Sequence, residues 1–403
     1  MSQTRSFAAL RQRTFRPFFL GVASVMMADA IEHVISYWVM FQKFHSPTLA
    51  GFAIVSHWLP FLLFSVYSGA AADRHDPRRI IQIGMTLFMA ASLAWGLLFL
   101  TDTLQMWHAA VLLIVHGCAG ATWGPSAQVL IHHMVEPQTL PSAVRLTATA
   151  RWAGLMLGPA AGAPLLLLLG PTYGILVNAL IYLPFLLWVR TIPFSRKATP
   201  PPLRGFGDVA VAARVVAANR VLLSMTLLAG CASLLVGNAY HAQLPEFARD
   251  FGHLGADLTY SMLFASDALG ALSAGLALES RGLLQARVRT AFVLAILWCL
   301  AIGSFALSAS YPLALALLFA AGFLELSFYA MAQTLVQLHA PAEMRGRVIG
   351  VFSMSAMGLR AFSGVTVGVG GSLIGIHASL ALSAGVLFVL LALGLVFATR
   401  WRP

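Results

Sequence analysis

Long apolar runs set the terms for this chain. Stretches of about 20 residues or more recur at about 17–42, 48–72, 79–101, 107–134, 140–168, 171–190, 219–246, 257–279, 289–308, 311–338, 344–373 and 376–399, each long enough to cross the hydrocarbon core as a helix. Over 403 residues, 59% are hydrophobic and only 10% charged, more apolar surface than a soluble domain of this size hides. Most of the chain therefore has lipid as its solvent, and the expected fold is an all-α membrane protein of twelve transmembrane helices.

The charges agree. The formal net charge is +11, and nearly all the cations are arginines at the ends of apolar runs. A basic balance can signal nucleic acid, but no soluble module carries these arginines, so no nucleic acid is expected. Alternate loops are basic: Arg11, Arg13 and Arg16; Arg74, Arg78 and Arg79; Arg145; Arg190 to Arg220; Arg281 to Arg289; Arg345 and Arg347. The intervening loops hold little beyond Lys43, Arg249 and a few acids. Positive-inside asymmetry then puts both termini in the cytoplasm. The start resembles a signal peptide, but its apolar pattern runs on to about Met40, so it reads as an uncleaved first helix. Cys118, Cys231 and Cys299 lie inside apolar runs without metal or redox spacing.

The longest polar stretch, 191–219, contains Pro200, Pro201 and Pro202 and splits the chain into halves of similar length. It reads as a cytoplasmic linker (191–218) between two pseudo-symmetric six-helix bundles, 1–190 and 219–403. A faint repeat supports duplication: Glu136-Pro-Gln-Thr-Leu-Pro-Ser-Ala-Val-Arg145 and Ala340-Pro-Ala-Glu-Met-Arg-Gly-Arg347 each precede a Gly-rich span. Duplicated halves are the build of many secondary transporters.

The loop between the second and third spans reads Gly69-Ala-Ala-Ala-Asp73-Arg74-His75-Asp76-Pro77-Arg78-Arg79. Its Gly-x-x-x-Asp-Arg-x-x-x-Arg-Arg spacing resembles the signature loop of the major facilitator superfamily, and with twelve spans and a basic central linker the resemblance covers nearly the whole chain. Within that superfamily it is most similar to the drug:proton antiporter group that holds macrolide pumps and the enterobactin exporter. That likeness rests on Asp29 in the first span, on Gly158-Pro159-Ala-Ala-Gly162-Ala163, close to the antiporter motif, and on Pro341-Ala-Glu-Met-Arg345-Gly346-Arg347. Ala163 replaces the motif's last glycine, and Asp76-Pro77 departs from the usual first loop. The resemblance implies a monomeric transporter of the bacterial inner membrane, working on a small-molecule substrate with protons as the coupling ion and lipid as its surroundings.

Single residues carry the rest. Asp73 ends the second span, where a helix's own C-terminal dipole disfavours a carboxylate. Family precedent supplies a partner, the N-terminus of the eleventh span near Met344 to Val348, making a gate latch with Gly69 allowing close approach. Gly154, Gly158 and Gly162 lie four apart, a spacing that packs helices closely in lipid, and Pro159 permits a bend. Asp29, Glu32, His33 and Ser36 form one polar stripe of the first span. Asp29 and Arg151 lie at similar depth, about 12 and about 11 residues into their spans, so the first-span acids are expected to pair with Arg151. In the second half Asp267, Glu325 and Arg360 are buried by position, and an Asp267–Arg360 pair is expected. Glu325, Tyr329, Gln333 and Gln337 make a polar stripe suited to a cavity wall. Asn238 and His241 share a face of the seventh span. His33, His57, His116 and His241 are intramembrane, and because histidine's ordinary pKa lies near working pH, one of the four, not singled out by the sequence, is expected as a proton carrier.

Phosphate loops, metal clusters and nucleophile triads are not legible, so no cofactor, metal or catalytic residue is expected and the chain is not read as an enzyme. The expectation is a proton-coupled exporter of an amphipathic small molecule, siderophore or drug-like. The alternatives are a lipid flippase of the same fold and a membrane receptor that binds without transporting.

Overall fold

The computed structural model describes residues 6–194, 207–237, 239–251, 256–281, 286–363, 367 and 370–400. Pro200, Pro201 and Pro202 of the linker, with the rest of 195–206, and Asn238 lie outside these residues. Among the described residues there is no strand. The helices are α1 (Phe15–Phe44), α2 (Pro47–Arg74), α3 (Pro77–Leu100), α4 (Met106–Met134), α5 (Leu140–Ile181), α6 (Leu183–Trp188), α7 (Gly207–Ala218), α8 (Arg220–Leu235), α9 (Ala239–Asp250), α10 (Ala256–Arg281), α11 (Val288–Ala306), α12 (Tyr311–His339), α13 (Arg345–Ser353), α14 (Arg360–Ser363), α15 (Gly370–Ile374) and α16 (Ile376–Arg400).

Local chemistry sets several of these boundaries. Ser46 caps α2 by accepting from the Leu49 amide at 3.3 Å, with Pro47 in the first turn. Asp76 caps α3, accepting from the Arg78 amide at 3.0 Å, and Pro77 opens the helix. A carboxylate cap followed by proline suits a helix start, since proline's missing N–H is one that the first turn leaves unbonded anyway. This is the local reason for the Asp76-Pro77 departure in the loop. Asn219 caps α8 through the amides of Val221 and Leu222 at 3.0 and 3.2 Å.

Nine helical stretches among the described residues are long and apolar enough to cross a membrane, and α7 with α8, bent by 112°, would make a tenth. The difference from the twelve expected spans lies in three breaks. The 55-residue stretch Pro137–Thr191 covers both the fifth and sixth expected spans. It turns at Gly170, whose φ of +71° is strained for any residue with a Cβ, just before Pro171. The seventh span stops at Leu235, turns at Gly237 (φ +49°) and resumes as α9. The eleventh is interrupted by a five-residue π turn, Met354–Gly358, between α13 and α14.

Contacts divide the chain into two compact units. The N-unit is Ala8–Ala213 with Pro341–Met354; the C-unit is Met1–Phe7, Arg214–Ala340 and Ser355–Pro403. The segment carrying α13 thus packs with the unit built by the first half of the sequence. The two repeat segments share a local form, a 3-10 turn (Pro137–Thr139 and Ala342–Met344) leading directly into a helix.

In the N-unit α1 lies along α5 through the glycine stripe. A Cβ at Gly154 would stand 2.3 Å from the Ala23 carbonyl oxygen, one at Gly158 2.3 Å from the Ala30 Cβ, and one at Gly162 3.3 Å from the Val34 Cβ. Hydrocarbon gives apolar side chains no reason to associate, so such backbone approach supplies the packing. The C-unit uses the same device where α10 meets α12: a Cβ at Gly322 would stand 1.9 Å from the Asp267 carbonyl oxygen.

Gly158→Val is therefore expected to force α1 and α5 apart and lower stability by about 1–3 kcal/mol, the usual cost of overpacking. Gly385→Ala, where a new Cβ meets nothing within 4 Å, serves as the control and should keep the wild-type melting temperature in detergent.

Candidate functional site

Each unit holds a buried knot of ionisable side chains. In the N-unit, Asp29 and Glu32 on α1 are 5% and 2% exposed. His116 on α4 lies between them: its Nε2 stands 2.7 Å from Asp29 Oδ1 and its Nδ1 2.8 Å from Glu32 Oε1. Glu32 also accepts a hydrogen bond from Ser92 on α3, whose hydroxyl in turn accepts from the Asn178 amide at 3.3 Å. His33 Nδ1 is 3.8 Å from Asp29 Oδ2. The His33 ring packs edge-on against His57 of α2 and against His116, with centroids 4.9 and 4.8 Å away. The two carboxylates and the imidazole between them satisfy one another's hydrogen-bonding needs, the condition under which buried ionisable groups are tolerated. Arg151 lies on α5, partly buried.

In the C-unit, Asp267 on α10 and Glu325 on α12 are 1% and 5% exposed. The Tyr240 hydroxyl of α9 donates toward both, at 3.3 Å to Asp267 and 3.4 Å to Glu325. His241 Nε2 is 3.0 Å from Asp267 Oδ2, and Arg360 on α14 reaches Glu325 Oε1 at 3.4 Å. Where the sequence suggested Asp267 with Arg360, the contacts are therefore Asp267 with His241 and Tyr240, and Arg360 with Glu325. Glu325, Tyr329 and Arg360 line a small cavity, with room for about one water molecule, whose apolar wall includes Trp298 and Phe328. The guanidinium of Arg360 sits 5.9 Å from the Tyr329 ring centroid, a cation–π distance. Gln337, at the far end of the expected stripe, is 1% exposed.

The loop motif is tied down by its charges. Asp73 accepts from the amides of Gly346 and Arg347 in the first turn of α13, at 2.5 and 3.0 Å. The helix dipole and free amides of α13 supply what the C-terminus of α2 withholds. The approach needs two glycines: a Cβ on Gly69 would stand 1.9 Å from the Gly346 carbonyl oxygen, and one on Gly346 2.1 Å from that of Gly69. Arg347, 1% exposed, reaches Asp73 at 3.4 Å and Asp208 of α7 at 2.9 Å. Arg78 pairs with Asp76 at 2.7 Å, donates to the Ile192 carbonyl at 2.6 Å and lies 5.6 Å from the Phe194 ring. Asp76 is partly buried, which alone would raise its pKa; the Arg78 hydrogen bonds and charge outweigh that and hold it below the usual carboxylate range. Arg74 and Arg79 are exposed.

Helical spans, buried acid–base knots inside them and a carboxylate latched to a helix N-terminus describe a transporter-like membrane protein. The sequence profile described as Major Facilitator Superfamily matches residues 18–364. The chain belongs to the major facilitator superfamily. Solved structures of this superfamily's fold agree along nearly the whole chain. The human organic anion transporter MFSD10 (TETRAN) superposes with a TM-score of 0.76 at 16% identity, covering 95% of this chain and 99% of that one. A bacterial homologue of the iron transporter ferroportin, in an outward-facing state, gives 0.72 at 17% identity, covering 96% and 99%. The E. coli fucose:proton symporter FucP gives 0.70 at 12% identity, covering 96% and 100%. At these identities the likeness shows the fold. No curated protein sequence matches significantly. As a member of the major facilitator superfamily the chain is a multi-pass membrane transporter rather than an enzyme.

Sequence reasoning marked the acids of this superfamily member, with His116, His241 and Arg360 among the intramembrane residues, but not which pairs they form. His116, Ser92 and Tyr240 reach the acids from other helices, and only the rarity of histidine in apolar runs signalled the first. Asp208 lies within the 191–218 linker and is not singled out from the sequence, yet it is 1% exposed against Arg347. From the sequence no metal cluster is expected. The fold nonetheless brings ligand atoms of Asp29, His33, His57 and His116, drawn from three helices, within 4.8 Å of one another.

Replacing Asp73 tests its bonds to α13. Asp73→Asn keeps an acceptor oxygen and removes the charge, so the first turn of α13 should loosen by about 1 kcal/mol, the size of a charge–dipole contact at a helix end. Faster hydrogen exchange at the Gly346 and Arg347 amides, with exchange in α10 unchanged, is the expected result.

Proposed function

We propose that this protein is a secondary active transporter that exports an amphipathic small molecule in exchange for protons, by alternating access. Within the superfamily we read it as a drug:proton antiporter, similar to macrolide pumps and the enterobactin exporter. The reading rests on Asp29 in the first span and on the Gly158-Pro159-x-x-Gly162 segment. We assign it to the bacterial inner membrane as a monomer with both termini cytoplasmic.

The observation that carries the reading is the Glu325–Arg360 contact on the wall of the C-unit cavity. Ionised, Glu325 holds the guanidinium. Protonated, it can no longer accept from a donor group of the cargo, so proton and cargo compete for this carboxylate, while a negative group of the cargo meets Arg360 and its apolar part lies against Trp298, Phe328 and Tyr329. Proton and cargo thus bias the same pair, and a ligand shifts a conformational equilibrium only through such differential binding. One structural neighbour is described as an organic anion transporter, which supports a cargo with a negative group, and another as a proton symporter, which supports protons as coupling ion. The Asp73–α13 bonds serve as the latch that closes the cytoplasmic side.

Proteoliposomes with an imposed pH gradient test this. The wild type should accumulate a labelled amphipathic anion against its gradient, and Glu325→Gln should fall to the level of protein-free liposomes while still folding. Wild-type accumulation in Glu325→Gln overturns the coupling role. Binding of the anion by the wild type without any gradient-driven movement indicates a receptor instead.

A further inference from the structure

The N-unit knot contains more nitrogen than its two carboxylates need. Asp29 and His33 stand one helical turn apart on α1, the i, i+4 spacing that puts two side chains on one face. His57 comes from α2 and His116 from α4, and one ligand atom of each lies within 4.8 Å of all the others. Around a tetrahedral ion with bonds of about 2.0–2.2 Å, ligand atoms stand about 3.4 Å apart, so small side-chain rotations close the remaining gap.

Two features go beyond proximity. His57 Nδ1 is sealed from solvent and has no hydrogen-bond partner among the described residues. A buried polar nitrogen left unbonded in hydrocarbon is costly, and a ligand removes that cost. His116 has a ready-made outer support: while Nε2 faces Asp29, Nδ1 faces Glu32, which is fixed by Ser92 and through it by Asn178. A carboxylate on the far nitrogen of an imidazole is the arrangement that orients a metal-ligating histidine and raises its basicity. A plain ion-pair knot accounts for Asp29, Glu32 and His116. It leaves unexplained why His33 and His57 close around the same point.

We propose that Asp29, His33, His57 and His116 form a site for a first-row divalent transition-metal ion, with three imidazole nitrogens and one carboxylate oxygen as ligands and Glu32 as the outer partner of His116. The donor set selects the class. Imidazole suits zinc, cobalt, nickel, copper and ferrous iron, whereas calcium and magnesium take oxygen ligands. The proposal goes beyond the transport reading and is tested separately from it.

The experiment uses the full chain, purified in detergent and stripped with a chelator, titrated with Co2+ and then with Zn2+. The wild type should bind one Co2+ per chain with the intense visible absorption of four-coordinate cobalt, and Zn2+ should bleach it. His57→Ala and His33→Ala should each abolish that absorption, and Glu32→Gln should weaken binding by about 10- to 100-fold, as loss of an outer partner does. His116→Ala strips two buried acids of their shared base and is expected to unfold. His57→Ala, which breaks no hydrogen bond at Nδ1, is therefore the deciding variant, with its fold checked by circular dichroism. His377→Ala, outside the knot and bonded to Asp250 at 3.0 Å, should titrate as wild type. Absence of the four-coordinate spectrum in the wild type, or its survival in folded His57→Ala, overturns the proposal. Gradient-driven uptake of the amphipathic anion by the same stripped protein reports on the transport reading, whatever the titration gives.

Discussion

Hydrocarbon offers no partner to a charge, so an ionisable side chain at membrane depth has to find one within the chain. That requirement organises both units. Asp29 and Glu32 are tolerated on α1 because α4 delivers His116 between them, and Asp267 and Glu325 because α9 delivers Tyr240 and His241 and α14 delivers Arg360. Each pairing draws several helices to one point. The polar groups thus specify which helices meet, while the apolar surface, facing apolar lipid, specifies little. This is the reverse of a soluble core, where burial drives association and polar groups are accommodated afterwards.

The small-residue seams complete the arrangement. α1 is held on one side by backbone contact with α5 at Gly154 and Gly158 and on another by its acids in the knot. A helix fixed by both shape and charge is a rigid platform for the side chains that it carries.

Much of the fold was legible because length and hydropathy are local properties. The boundaries of α1, α3, α4 and α12 follow from apolar runs ending at charges, prolines or caps. The breaks were less legible. Gly170 is the exception: it falls in the gap between the fifth and sixth expected spans, 140–168 and 171–190, and Pro171 beside it marks a turn. Gly237 resembles the many other glycines in these spans, and only its positive φ distinguishes it; the π turn at Met354–Gly358 has no compositional mark. The site was half legible for a related reason. A charge in an apolar run is visible in one dimension, so Asp29, Glu32, Asp267, Glu325 and Arg360 stood out, but pairing is a property of helix neighbours. Arg151 matched Asp29 in depth, while the bonds to Asp29 came from α4. Asp73 was different: an acid at the wrong end of its own helix announces a need for another helix's start, and the amides of Gly346 and Arg347 meet it.

Those amides have a further consequence for how this protein can vary. The donors that Asp73 uses are main-chain groups, which every residue type except proline supplies. Most side-chain changes in the first turn of α13 therefore leave the bonds themselves available, and steric room becomes the limit there. On the facing helix the carboxylate has no substitute of equal reach and charge. The mutational target of this contact is accordingly lopsided: one acid and the two glycines that let the backbones touch.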